Sequence, residues 1–157
     1  MREILFRGFT TPKNKGHEFD SVWVEGDLIT FSGRCFIHPK NNIVRVESDL
    51  GKLIIMHEVI PETVGQYTGL TDKNGKKIFE GDVVKTQPFS NRPYSKKAKF
   101  KQHIGVVENK IYRNYVSEWF VRIDDYEGFA CCSWSAFYDC EVIGNIHDNP
   151  ELLKGAD

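Results

Sequence analysis

The sequence predicts a mainly-β fold: a small N-terminal antiparallel sheet, then a C-terminal small barrel and a short terminal helix. Three observations carry this. Aromatic residues make up 13% of the 157 positions, with eleven Phe, six Tyr and three Trp, and aromatics suit the pleated, half-buried surface of a sheet. The apolar runs are short and are bounded by Gly, Pro, Asn and Asp, the punctuation of strands and turns. Helix signals are scarce.

In chain order, residues 4–6 start an edge strand. Val22-Trp23-Val24-Glu25-Gly26-Asp27-Leu28-Ile29 reads as a strand, a tight turn or bulge at Gly26-Asp27, and a continuation. Residues 35–37 and 43–46 read as two strands joined by a turn-rich linker containing Pro39, Asn41 and Asn42, and residues 53–56 form a further apolar run. At the centre, Asn74-Gly75 predicts a type I′ hairpin, since both residues tolerate positive φ. Residues 83–84, 103–107, 119–123, 128–134 and 140–146 then give five short strands at the close spacing of a small barrel. Asp148-Asn149-Pro150-Glu151 is a helix start, with a capping residue, Pro at the first helical position and an acid in the first turn. The domain boundary falls at residue 62, giving units 1–62 and 63–157, with one compact unit as the alternative.

The net charge of −1 exerts no global pull on nucleic acid or an anionic membrane. Its distribution is uneven. Lys85, Arg92, Lys96, Lys97, Lys99 and Lys101 occur with no acidic residue between them, whereas residues 117–151 hold eight acidic residues and one Arg or Lys, Arg122. Tyr94 and Phe100 are interleaved with the lysines, so the loop has the composition of a polyanion-binding surface: lysines neutralise phosphates and aromatics stack on bases. A solvated loop accounts for the same composition. The N-terminus lacks the apolar stretch of a signal peptide, and no run has the length to span a bilayer, so a cytoplasmic protein that does not engage membranes is expected.

Four cysteines, Cys35, Cys131, Cys132 and Cys140, lack the spacing of a disulfide framework or of a metal pair. Reduced, buried thiols are expected. A zinc site from Cys131, Cys140 and His147 has no ligand spacing to support it. Gly65-Gln66-Tyr67-Thr68-Gly69 lacks the Gly-Lys-Ser/Thr of a phosphate loop and opens no helix; a turn-rich connection over a buried Tyr67 is the better reading. Glu80 and Asp82 alternate onto one side of a strand, where a carboxylate pair is conceivable, but a turn with Asp82 bonded to nearby backbone is the commoner arrangement. No catalytic residues, cofactor or metal ligands emerge. Glu25-Gly26-Asp27 echoes Glu80-Gly81-Asp82, each between apolar pairs. A turn into a strand at both places explains the echo, and duplication is the alternative.

Residues 57–84, HEVIPETVGQYTGLTDKNGKKIFEGDVV, resemble the signature of the YopX family. The opening MREILFRG, the run VWVEGDLI and the closing EVIGNIHDNPELL carry the same resemblance. Residues 34–52, and the basic loop 87–102 with the strand after it, do not carry it. The resemblance implies a phage or prophage protein whose C-terminal part is an SH3-like barrel, and it brings no assigned biochemical role. The motif residues Gly65, Gln66, Tyr67, Thr68, Gly69, Asp72, Asn74, Gly75, Glu80, Gly81 and Asp82 are expected to be structural, with at least one glycine at positive φ.

The expected function is therefore that of a non-catalytic binding module, an accessory protein of phage or prophage. One alternative is a nucleic-acid-binding regulator using residues 85–101. A weaker one is an enzyme with its site between the halves, since no acid, base and nucleophile grouping is visible. Homo-oligomers are expected, because short sheets leave edges and aromatic patches that a second copy can cover.

Overall fold

The computed structural model describes residues 3–11, 21–40, 47–48, 51–52, 56–88, 96, 102–112, 116–123, 131–132, 137 and 139–153. The fold is mainly β and antiparallel. The chain divides into two compact units, Met1–Tyr67 and Thr68–Asp157.

The first unit contains β1 (Phe6–Phe9), β2 (Trp23–Phe31), β3 (Arg34–His38), the short pair β4 (Glu47–Ser48) and β5 (Gly51–Lys52), and β6 (His57–Val59). A 3-10 turn (Pro61–Thr63) follows, and then the first half of β7 (Gly65–Thr71). The strands lie side by side in the order β6, β3, β2, β1, β7. β1 is flanked by β2 and β7 and is therefore interior, where the sequence suggested an edge. The sheet curls until the end of β1 reaches β6: Ile60 N–H donates to Phe9 O at 2.9 Å and Thr11 N–H to Glu58 O at 3.0 Å. Thr63 holds the 3-10 turn to β1, since its Oγ1 accepts the Phe9 N–H and donates to Ile60 O.

β2 runs through Gly26-Asp27 without the expected turn or bulge, in continuous register with β3. The reason for the glycine is a close approach. A Cβ on Gly26 would overlap the carbonyl of His38, and glycine is the residue that admits another backbone so closely. The reversal comes five residues later. Ser32 (φ 49°) and Gly33 (φ 75°) form a two-residue connection between Phe31 and Arg34, a type I′ turn whose twist suits a hairpin. Residues 43–46 and 53–55 lie outside the described residues.

The second unit takes the rest of β7, then β8 (Lys77–Phe79), β9 (Asp82–Lys85), β10 (Ile104–Tyr112), β11 (Val116–Arg122), β12 (Cys131–Cys132) and β13 (Glu141–Asn145). Five of these form one sheet in the order β12, β11, β10, β9, β13. Among the described residues no bond joins β12 to β13, so this sheet is open. Its core follows from register. Val84 lies opposite Val142 and Gly105, and Val107 opposite Val121, so these positions share one face. Together with Ile78, Ile123, Phe137 and Cys140, its side chains make the hydrophobic cluster, on which Leu70 and Trp119 pack. Burying a Val or Ile of this kind contributes roughly 1.5–3 kcal/mol. The chain then makes a 3-10 turn, Pro150–Leu153, where the sequence shows a helix start.

Candidate functional site

The motif begins inside a strand. Gly65 and Gln66 of β7 lie opposite Arg7 and Phe6 of β1, and the buried Tyr67 donates its N–H to Leu5 O at 2.8 Å. The glycine-rich stretch is thus extended sheet, and its backbone groups serve ladders. In the second unit, buried Thr68 donates its hydroxyl to Ile78 O at 2.9 Å and accepts the Leu70 N–H. Gly69 has φ 85° within the same strand.

Asp72 organises the turn that follows. Gly75 N–H donates to Asp72 O at 3.0 Å, Asp72 N–H donates to Lys76 O at 2.8 Å, and Gly75 has φ 80°. Asn74 has no positive φ, so the connection is a type I turn closed by a left-handed Gly, in place of the expected type I′ turn. The cause is the Asp72 carboxylate. Its Oδ1 accepts the N–H groups of Asn74 (2.8 Å) and Lys76 (2.9 Å), and a side chain that bonds the backbone two residues on favours this turn. Its Oδ2 accepts the N–H of Val142 at 3.0 Å. Beside it, Lys73 N–H donates to Cys140 O, and Lys73 Nζ lies 2.7 Å from Glu141. Burial pushes the Asp72 carboxyl up, but the bonds from Val142, Lys76 and Asn74, helped by the Lys76 charge, outweigh it and hold the group below its ordinary value.

The second turn is built on Asp82. Glu80 and Gly81 form the turn itself, so Glu80 does not share a strand face with Asp82. Asp82 is 1% exposed, and its Oδ2 accepts the Phe79 N–H at 2.8 Å. Gly81, at φ 79°, donates to Val107 O and accepts from Ile146. The two Glu-Gly-Asp segments thus differ in conformation: 25–27 is mid-strand and 80–82 is a turn. Nearby Cys140 is fully buried, and burial, followed by the Asp72 charge, pushes its thiol up to about 11. Such a thiol is a packing group rather than a nucleophile. Among the described residues no three His, Cys, Asp or Glu side chains group as metal ligands, and no helix is long and apolar enough to cross a membrane.

Of the basic loop, Lys85 ends β9 exposed and Lys96 sits exposed on a turn. Tyr94, Lys97, Lys99, Phe100 and Lys101 lie outside the described residues. Thr86 N–H donates to His103 O at 2.9 Å, and His103 N–H donates to Thr86 Oγ1 at 3.1 Å. Both residues are buried. Gln87 Nε2 donates to Asp139 O at 3.1 Å. Nothing in residue type or spacing marked Thr86 and His103, because their pairing exists only once β9 and β10 lie side by side. Arg122, the single Arg or Lys of the acidic stretch, donates Nε to Glu108 Oε1 at 2.6 Å.

No curated protein matches this chain. The family described as YopX protein matches residues 5–154, nearly the whole length and including both turns and the loop stem. On that match, the chain belongs to the YopX family.

Proposed function

We propose that this YopX-family protein is a non-catalytic binding module, an accessory protein of phage or prophage, whose β9–β10 connection contacts a polyanion. The observation that carries the reading is the basic run from Lys85 to Lys101, which has no acidic residue. Its stem adds support. Thr86 and His103 pair inside the protein, so the connection that carries the basic residues starts and ends on an anchored base. The second unit's order, with β13 returning beside β9 after the meander β9 to β12, favours an SH3-like barrel, and the closing 3-10 turn a short terminal helix. Nucleic acid in the host cytoplasm is the polyanion this reading names.

Fluorescence anisotropy with labelled single- and double-stranded DNA and RNA tests it. Binding is expected at low salt and should fall steeply as salt rises, because each neutralised phosphate releases counterions. Absence of binding to all of these at low salt would leave the loop as solvated chain and remove the proposal.

A further inference from the structure

Asn74-Gly75 is the only Asn-Gly pair in the chain, and this is the dipeptide at which deamidation is easiest. A glycine nitrogen has no neighbouring Cβ to shield it, so it can attack the side-chain carbonyl of the asparagine before it. In that reaction the Gly75 backbone N bonds to Asn74 Cγ, and its proton departs with the side-chain amide as ammonia. A five-membered succinimide remains. One water molecule opens the ring at either carbonyl, giving aspartate or isoaspartate. Asn74 and Gly75 are both exposed, and nothing lies within 4 Å of where a Gly75 Cβ would stand. Burial therefore does not protect them.

The turn denies the reaction its geometry. Ring closure needs Gly75 N eclipsed with Asn74 Cβ about the Cα–C bond. A type I turn sets ψ near 0° at its third residue, about 120° from that arrangement. Three bonds hold it there. Gly75 N–H, the attacking group, donates to Asp72 O at 3.0 Å. The N–H groups on either side of it, of Asn74 and Lys76, donate to Asp72 Oδ1 at 2.8 and 2.9 Å. The carboxylate also adds an electrostatic barrier. It is held below its ordinary value and so is charged at neutral pH, where it opposes the negative charge that develops on the attacking nitrogen.

We propose that Asn74 is a deamidation site that the Asp72 turn keeps silent in the folded protein, so that its modification records opening of the β7–β8 turn. The record is one-way. Isoaspartate lengthens the main chain by a methylene, so the bonds to Asp72 cannot re-form in their present register. Aspartate adds a negative charge to the turn that already holds the Asp72 carboxylate. Because Asp72 Oδ2 accepts the Val142 N–H at 3.0 Å, a displaced Asp72 also loosens β13.

Peptide mapping by mass spectrometry, on the full chain held at mildly alkaline pH, follows the conversion of each asparagine. In urea-unfolded protein Asn74 should convert fastest, yielding isoaspartate together with aspartate. In the folded protein it should convert at least about tenfold more slowly, the suppression being set by the fraction of time the turn is open. Asp72→Ala should restore much of the lost rate under folding conditions. Asp72→Asn, which keeps one acceptor oxygen, should restore less, and it decides the question if the alanine variant does not fold. Equal Asn74 rates in folded and unfolded wild type overturn the proposal, as does a folded-state rate that neither variant raises. Aspartate as the sole product would mean direct hydrolysis without the ring, and would overturn it too.

Discussion

Asp72 and Val142 are 70 positions apart, yet the Asp72 carboxylate accepts the Val142 N–H at 3.0 Å while its other oxygen caps the β7–β8 turn. One buried side chain thus fixes a local turn and anchors β13, the strand that returns beside β9.

Removing that carboxylate should be costly. Asp72→Ala leaves the N–H groups of Asn74, Lys76 and Val142 without their acceptor in a site that is 6% exposed. The Val142 N–H is the buried donor of the three, and a buried donor left unsatisfied costs about 1–3 kcal/mol, so urea unfolding should show a loss of about that size. Asp72→Asn keeps one acceptor oxygen and should lose less. Equal stability of Ala and wild type would remove Asp72 from this role.

The same residue sets a pH dependence. Its carboxyl is held below its ordinary value of 3.8 in the folded protein. A depressed folded value means that the unfolded chain takes up the proton first, so the contribution is complete above that ordinary value. It is lost as pH falls from there through the lower folded value. Thermal melts should therefore show an acid limb beginning near pH 4 that is shallower in Asp72→Asn.

Two glycines should respond to substitution for different reasons. Gly75 has φ 80° with open space where a Cβ would go, so Gly75→Ala costs only the left-handed backbone, about 1–2 kcal/mol. Gly75→Val should cost more, because β-branching crowds that conformation, and should leave no specific binding defect. At Gly26 the obstacle is the His38 backbone itself, so Gly26→Ala must push β2 and β3 apart. Chemical denaturation should rank Gly26→Ala as more destabilising than Gly75→Ala. The reverse order would mean that the β2–β3 approach is looser than described.

The lysines of the β9–β10 connection should separate binding from folding. Changing Lys96, Lys97, Lys99 and Lys101 together to Gln is expected to abolish polyanion binding, measured by anisotropy at low salt. Tm should stay nearly unchanged, which separates a role in binding from one in folding. Binding that survives these changes would place the contact elsewhere.

The mainly-β class, most strands of the second unit and the family were legible from the residues alone, because short apolar runs between turn residues and the motif around residues 57–84 are local properties of the chain. The sequence also marked the glycines: Gly69, Gly75 and Gly81 all lie at positive φ. Tertiary structure decided what those features do. Gly26-Asp27 and Gly81-Asp82 are alike in sequence, but the backbone of His38 keeps the first in a strand, while the bonds of Gly81 to Val107 and Ile146 hold the second in a turn. Asn74-Gly75 suits a type I′ turn in isolation, and the Asp72 carboxylate selects another. The pairing of Thr86 with His103, 17 positions apart, left no trace in composition or spacing. Such contacts depend on which strands become neighbours, and long-range register is settled by the packing of the whole sheet rather than by any local run of residues.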